Sequence, residues 1–579
     1  MDRVLFAPRT LPPLRPDVAQ DPVPYGSWVS KREVTQSTAL APPPQLRILH
    51  VVMVIEGRPP VETVDSLQSL GAQASTHWKL TVVVHRPWQP EVTALLVVSG
   101  IRQRFALEER EPTCTYEEML DCGLTAASGE DVGLIFPGDV WARDTVSLLS
   151  AALDENGMAY GDEDRLGADG KHVWPRLKPA FSPEFLLHAD CVGRPVALSA
   201  GVVKRLPAGS AGVPEARDHD LALRASEVAD SVRHIPEVLC HRLIPPRRVP
   251  TDAANGTNHV VAALGRRGEK ASVLPGGSAG TVRVRRTPGS VRTANIIIPF
   301  RDEPRLLRAC IDSIDRTAAA ISPDYILVDN GSNQPETATL LERLAVRPDV
   351  RILRDDRPFN WAELNNAAAA LATAEVLVFL NNDIEALSVG WLDALCAQAE
   401  RLDVGAVGAR LLYPNHRLQH CGVVIGLGGA AGHPLLGLDE SDPGYLSMAV
   451  TTRECSGVTG ACLATRRALF EAQGHFDEAL GIDLNDIDYC LRLQQSGLRV
   501  IYESTAELIH HESPSRGTAG DVRDIVHFID RWKASILAGD PYLNPHLTRM
   551  DSSCALRRPD EEAWWQAWYA GLQPVETEA

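Results

Sequence analysis

Three things are scarce in this chain: long apolar runs, paired cysteines and an excess of basic charge. No stretch approaches the roughly 18 uninterrupted apolar residues that a membrane-spanning helix requires, so the sequence reads as a soluble, cytoplasmic protein, at most peripheral to a membrane. The 11 cysteines are scattered and never fall as C-x-x-C, which argues against a zinc ribbon or a disulfide framework and for reduced thiols. Asp and Glu outnumber Lys and Arg by 75 to 57, a net charge of −18. A nucleic-acid partner would call for a basic face instead. An anionic ligand neutralised by a metal ion remains compatible. At the N-terminus the one apolar patch is broken by Pro8 and Arg9, which is no signal-peptide core.

What is present is an ordinary globular composition, 44% apolar and 23% charged over 579 residues. That length exceeds one hydrophobic core, so at least two domains are expected. Residues 1–45 are proline-rich ("LPPLRP", "APPPQ") and read as a poorly ordered lead-in. A first strand–helix alternation starts at "LRILHVVMVI" and is assigned residues 46–243. A linker is expected over 244–291, where "RLIPPRRVPTDAANG" and "LPGGSAG" break the periodicity, with a short helix at "HVVAALGRRGEK". A second alternation, 292–520, opens at "ANIIIPF" and carries the strands "YILVD" and "EVLVFL" between helical stretches. Residues 521–579 read as a helical extension. Alternation of this kind predicts an α/β fold with a mostly parallel sheet in each half.

The halves look like copies. "ARDHDLALR…RHIPEVLCH" lies beside "LNDIDYCLRL…STAELIHH", and "GLIFPGD" beside "LVFLNND". Offsets of 383 − 139 = 244 and 486 − 218 = 268 residues agree roughly, as an internal duplication requires.

The chemistry concentrates in "EVLVFLNNDIEAL", where an apolar strand spills Asn381, Asn382, Asp383 and Glu385 at its carboxyl end. Ligands of open α/β sheets bind outside the carboxyl ends of the strands. A turn is the plainer reading of "NND", since Asn and Asp favour turns. "NDIDYCLRL" sets Asp486 and Asp488 ahead of an amphipathic helix, either as reactive carboxylates or as an N-cap.

The ordered set "IIIPFRDEP", "ILVDNGS", "RPFNWAELNNAA", "VFLNNDIE", "VGAVGARLLYPNHRLQHCGVVIGLGGAAGH", "NDIDYCLRL" and "ELIHHESPSRG" resembles the inverting nucleotide-sugar glycosyltransferases of family two. It is similar to the bacterial O-antigen and surface-polysaccharide branch, with its many rhamnosyltransferases. The resemblance spans about residues 294–546 and extends more thinly into the first half. It implies two GT-A domains in tandem. It also implies a divalent cation, Mg²⁺ or Mn²⁺, a nucleotide-diphospho-sugar donor, and a glycan or polyprenyl-linked glycan acceptor. By that resemblance Asp383 and His510 hold the metal, with Glu385 and His511 supporting, and Asn381 replaces the first acid of an Asp-x-Asp motif. Asp486 is the base that takes the acceptor proton, and Asp488 supports it. Pro299, Arg301, Asp302, Glu303, Asp329, Asn330 and Ser332 face the nucleotide. Asn360, Asn365, Asn381 and Asn382 border the ribose and sugar.

Two patterns are set aside. "GLGGAAGH" faintly resembles a dinucleotide loop, but Pro434 follows and no helical pattern does, so a flexible acceptor-side loop is expected. His416, His420 and Cys421 suggest zinc only if they lie on a helix, which Pro414 and Asn415 oppose. In the first half "TVVVHRPW" replaces "ILVDNGS", so the base-reading acid is missing. That half reads as a degenerate copy, although Asp139, Glu163, Asp164, Asp218 and His241 stand in suggestive places. A non-catalytic carbohydrate-binding scaffold is the alternative for the whole chain. A nucleotidyltransferase is a third, and the glycine-poor "IIIPFRDEP" counts against it.

Overall fold

The computed structural model of the chain describes residues 25–29, 32, 47–101, 104–209, 216–244, 256–512 and 522–571. Most of the proline-rich lead-in, part of the expected linker and the "SPSRG" end of one motif lie outside them. The chain divides into two compact units, Pro22–Gly268 and a second that contains Glu269–Ala579.

The N-terminal unit holds one nine-stranded sheet. Its strands are β1 (Leu49–Ile55), β2 (Trp78–His85), β3 (Phe105–Arg110), β4 (Asp131–Leu134), β5 (Asp139–Trp141), β6 (Gly157–Leu166), β7 (His172–Arg176), β8 (Val196–Leu198) and β9 (Ser231–Leu243). They follow the order β3-β2-β1-β4-β8-β6-β9-β5, with β7 hydrogen-bonded to β6. After the hairpin β10 (Ala271–Pro275) and β11 (Val282–Arg286) comes the second unit's sheet. It contains β12 (Thr293–Phe300), β13 (Ser322–Asp329), β14 (Val350–Arg354), β15 (Val376–Leu380), β16 (Ile384–Ala386), β17 (Val404–Leu412) and β18 (Leu418–His420). The short pair β19 (Val424–Ile425) and β20 (Ala431–Gly432) stands apart, and β21 (Arg453–Glu454), β22 (Cys462–Arg466) and β23 (Arg499–His510) complete the sheet.

Its order, β14-β13-β12-β15-β22-β17-β23-β16 with β18 on β17, repeats the first sheet, and β21 on β23 is its one added strand. The directions repeat too. Pairings are parallel from β3 to β4 and from β14 to β15, antiparallel on both sides of β8 and β22, and parallel again in β6–β9 and β17–β23. Such agreement across two sheets is what an internal duplication produces.

The strands form where the sequence is continuously apolar. All of Val376–Leu380 and Ala294–Phe300 are buried, as expected of central strands covered on both faces. Burying each such Val, Leu, Ile or Phe side chain contributes about 1.5–3 kcal/mol. The amphipathic helix Pro304–Thr317 buries Leu307, Cys310, Ile311 and Ile314 on one side, at helical spacing, against this sheet. The stretch expected as a linker is more ordered than its composition suggests. Helix Asn258–Arg267 buries Val260, Ala263 and Leu264, and the hairpin β10–β11 was not anticipated.

The C-terminal stretch, expected as a helical extension, packs its helices into a core cluster. Helix Val522–Ala538 buries Phe528, Ile529, Trp532 and Ile536, and helix Glu561–Gly571 brings Trp565 and Tyr569 into the same cluster. That cluster also corrects the flexible-loop expectation for "GLGGAAGH". Leu427, Ala430 and Ala431 are buried, Tyr569 Oη donates to the Gly429 carbonyl at 2.5 Å, and the rings of Trp565 and Trp568 crowd Gly429. Among the described residues no helix is long and apolar enough to cross a membrane. All 11 cysteines are free thiols.

Candidate active site

Strand β15 ends at Leu380, and the next three residues turn out of the sheet. Asp383 is buried and stands beside His510, the last residue of β23, with Oδ1 3.3 Å from Nε2. Strand pairing sets this neighbourhood, because Ile384 is the register partner of His510 and the His511 N–H donates to the Asp383 carbonyl at 3.0 Å. His510 Nδ1 lies 2.8 Å from Gln419 Oε1. The Asn381 amide nitrogen approaches the same Nε2 at 3.3 Å. A carboxylate oxygen and an imidazole nitrogen thus stand side by side at the strand end. This donor set fits a divalent cation that completes its shell with phosphate and water oxygens. Glu385 bonds His511 Nε2 at 2.8 Å.

Asp486 sits in the first turn of helix Asn485–Gln495. The N-cap is Leu484, held at φ 64°, so Asp486 is not the capping residue. Its Oδ2 accepts the Gly460 N–H at 2.6 Å and its Oδ1 the Ile487 N–H at 2.8 Å. The residue keeps partial solvent access while protein surrounds its carboxyl group. Burial pushes its pKa up to about 6, against the downward pull of the Gly460 and Ile487 amides. A carboxylate poised near neutrality is what proton abstraction at cellular pH requires.

The peptides of Gly460 and Ala461 join the two halves of this arrangement. While Gly460 donates to Asp486, the Ala461 carbonyl accepts the Asn381 N–H at 3.1 Å. Asp486 and the strand-end cluster are therefore held by consecutive residues. A side chain at Gly460 would meet the Trp361 ring at 2.7 Å, so only glycine lets the loop approach. Asp488 is fully buried and held by Arg492 at 2.9 Å, Arg531 at 2.8 Å and the Trp532 indole at 2.9 Å. It anchors the helix that carries Asp486.

The expected nucleotide residues cluster at the ends of β12 and β13, largely tied to one another. Pro299 lies in β12, opposite Val328 of β13, and Arg301 is exposed. Asp302 and Glu303 adopt positive φ, 53° and 51°, in the tight exit from β12. The Asp302 carboxylate accepts the N–H groups of Asn333 and Gln334 at 3.0 and 2.9 Å, and its own N–H donates to Ser332 Oγ at 2.8 Å. Asp329 accepts the Ser332 N–H at 2.9 Å and pairs with Arg354 at 2.6 Å. Asp329, Ser332, Gln334, Thr337 and Arg354 line an open cavity of about 530 Å³.

Asn330 braces the loop through the carbonyls of Asp355 and Arg357, at 2.9 and 2.8 Å. Asn360 caps helix Trp361–Ala369 by accepting the Glu363 N–H. Asn365 is buried and donates to the Trp361 carbonyl, while its amide oxygen has no partner. Asn382 lies in the turn after β15. Sequence reasoning missed Gln419, Gly460, Arg354, Arg531 and Trp532. Gln419 alone stood in a quoted motif, and the others carry no local signal. The set-aside zinc pattern does not assemble. His416 bonds Glu440, His420 bonds His433, and the Cys421 thiol donates to the Pro434 carbonyl.

The N-terminal unit has counterparts of both carboxylates, engaged otherwise. Arg194 precedes β8, the counterpart of β22, which Gly460 and Ala461 precede. Its guanidinium bonds Asp139 at 3.0 Å and Asp218 at 2.8 and 3.2 Å, and stacks 3.6 Å from the Phe136 ring centre. The position matching Asp329 is His85, whose ring nitrogens meet the Gly57 N–H and the Cys114 carbonyl.

Residues 295–474 match Glycosyl transferase family 2. Over 96% of its length the chain is 35% identical to the O-antigen biosynthesis protein RfbC of Myxococcus xanthus, covering 45% of that protein. It is 31% identical to the uncharacterized protein y4gI of Sinorhizobium fredii, over 88% of this chain and 59% of that one. The chain thus spans about half the length of these curated relatives. An N-acetylglucosaminyl-diphospho-decaprenol L-rhamnosyltransferase of Mycobacterium tuberculosis is 26% identical over 33% of this chain and 67% of its own. Among solved structures, the mannosyltransferase PcManGT of Pyrobaculum calidifontis, in complex with GDP-Man and Mn²⁺, covers 50% of this chain and 78% of its own at 16% identity and a TM-score of 0.32.

The two units are α/β domains of one topology, and residues 295–474, within the second, are those that match Glycosyl transferase family 2.

Proposed function

We propose that the C-terminal unit is an inverting glycosyltransferase. It moves a sugar from a nucleotide-diphosphate donor to a glycan or lipid-linked glycan acceptor in surface polysaccharide biosynthesis. The observation that carries this reading is Asp486, a partly accessible carboxyl with a pKa near 6, tied through Gly460 and Ala461 to the Asp383–His510 pair. The likeness to an O-antigen protein and to a rhamnosyltransferase supports a hexosyl- or rhamnosyl-type transfer and a polysaccharide role. In this reading the protein acts in the cytoplasm, at most peripheral to the membrane.

Asp486 accepts the proton of the acceptor hydroxyl as that oxygen attacks the anomeric carbon from the face opposite the diphosphate. The glycosidic C–O bond forms as the bond to the diphosphate breaks, so configuration inverts and no sugar is attached to the protein. Asp383 and His510 would hold the Mg²⁺ or Mn²⁺, which when bound neutralises the diphosphate as a Lewis acid. Asn381 adds an amide where a second acid would add charge, so this site holds its cation weakly without donor. The loops after β12 and β13 present the nucleotide surface, with Asp329 beside the open cavity.

The N-terminal unit is read as a degenerate copy that positions the acceptor. Arg194 supports this, since one guanidinium neutralises both carboxylates that a transferase would need. Sugar release from a panel of nucleotide sugars, with and without Mn²⁺, tests the proposal. Metal-dependent transfer to a glycan acceptor is the expected result, and donor binding with no turnover on any acceptor would favour the scaffold reading.

A further inference from the structure

We propose that Asp164, His172 and His241 form a binding site for a divalent transition-metal ion of the zinc type in the N-terminal unit. The three come from three adjacent strands. Asp164 and His241 are direct register partners in the parallel pair β6–β9. The β6–β7 hairpin, which pairs Leu166 with His172, returns the second imidazole to the same carboxylate.

His241 Nδ1 lies 2.7 Å from Asp164 Oδ1, and His172 Nδ1 lies 2.9 Å from Oδ2. The rings meet edge to face, with centres 4.5 Å apart. One ligand atom from each residue falls within 4.8 Å of the others. The side chains of Asp164 and His241 are withdrawn from solvent, and that of His172 is 16% exposed, which leaves one wall for an ion to enter. Tyr25 donates its hydroxyl to Oδ2 at 2.8 Å and holds the carboxylate from outside, as partners of metal-ligating groups do.

The surrounding charges sharpen the assignment. The neighbouring acid, Glu163, takes the arginines, Arg176 at 2.7 Å and Arg242 at 3.5 Å. Asp164 is met instead by two imidazoles and a phenol. Two imidazole nitrogens and one carboxylate oxygen are the donor set of three-ligand zinc sites, with a fourth position for water. Bonds of about 2.0–2.1 Å place tetrahedral ligand atoms about 3.3 Å apart, so the two nitrogen–oxygen separations need open by only about half an ångström as the hydrogen-bonding protons leave. The site's carboxylate is not the counterpart of Asp383, which is Asp139 bound to Arg194, although His241, opposite Val140 as His510 is opposite Ile384, stands at the matching strand end. An ion at Asp164 would cross-link β6, β7 and β9, a structural clamp rather than a donor site.

The test uses the full-length protein stripped with chelator and titrated with Co²⁺, then with Zn²⁺. Wild type is expected to bind one equivalent more than His172→Ala and Asp164→Asn, with the visible ligand-field absorption of imidazole- and carboxylate-bound Co²⁺. Zn²⁺ should bleach that absorption and raise the Tm of wild type but not of His172→Ala. Asp383→Ala should keep the equivalent. His172 is the partly exposed member, so its variant reads out the site even where Asp164→Asn misfolds. Equal metal content in wild type and His172→Ala, or loss of the absorbing equivalent in Asp383→Ala, overturns the proposal.

Discussion

A carboxylate that must act as a base has to avoid two fates, full ionisation in water and neutralisation by a fixed cation. Asp486 avoids both, being surrounded by protein yet bonded only to the N–H groups of Gly460 and Ile487 among its named contacts. Burial holds its pKa up at about 6, so below that pH the folded protein keeps the proton and the base is lost. Turnover should therefore rise with pH through an apparent pKa near 6, read from kcat/KM profiles at saturating metal. Asp486→Asn should lower kcat by roughly 10²–10⁴-fold with little change in donor affinity, since a base acts in the transition state. Near-normal turnover in that variant, or retained anomeric configuration by NMR, would rule the assignment out. Asp383→Ala should abolish metal-dependent donor binding and leave the circular dichroism spectrum unchanged. Unaltered metal dependence in calorimetry would refute the role given to it. The sequence singles out both aspartates because each borders a patterned element, Asp383 after a strand and Asp486 at the start of a helix. It could not show that Glu385 turns to His511, or that Asp302 spends its carboxylate on the next loop, since those partners lie across sheet strands and turns.

At the scale of elements, the site depends on how helix Asn485–Gln495 is seated. Asp488, on that helix, meets Arg531 and Trp532 of helix Val522–Ala538, whose aromatic face fills the cluster around Leu484, Ile487 and Leu491. Trp532→Ala removes a buried ring and an indole donor to a buried carboxylate. A loss of about 3–5 kcal/mol is expected from the cavity alone, measurable by urea denaturation, together with a fall in kcat. An unchanged midpoint would mean that this helix does not brace the base. The helix was read from sequence as an extension because its partners are far away in the chain, and only its amphipathic pattern was visible. The strands were legible for the opposite reason: β12, β13 and β15 are apolar runs that no other local structure accommodates. The linker hid its hairpin because "ASVLP" and "VRVRR" are short, half-exposed strands.

At the scale of the whole molecule, two sheets of one topology carry one intact constellation and one that is internally neutralised. Duplicated sequence motifs made the shared fold legible, but not the difference in state, which rests on Arg194, a residue in no motif. In the N-terminal unit its guanidinium occupies the space between Asp139 and Asp218, and His85 stands where Asp329 lines the open cavity of the second unit. Removing it as Arg194→Ala leaves the buried Asp139 carboxylate without its cation beside the half-buried Asp218, and loss of one partner of a buried pair costs about 3–5 kcal/mol. The variant should therefore melt earlier without acquiring a second donor site. The full-length chain should accordingly bind one nucleotide sugar per molecule in calorimetry with Mn²⁺, Arg194→Ala should still bind one, and Asp383→Ala none. Two equivalents in the wild-type chain, or residual tight binding in Asp383→Ala, would show that the N-terminal unit takes a donor of its own despite its arginine.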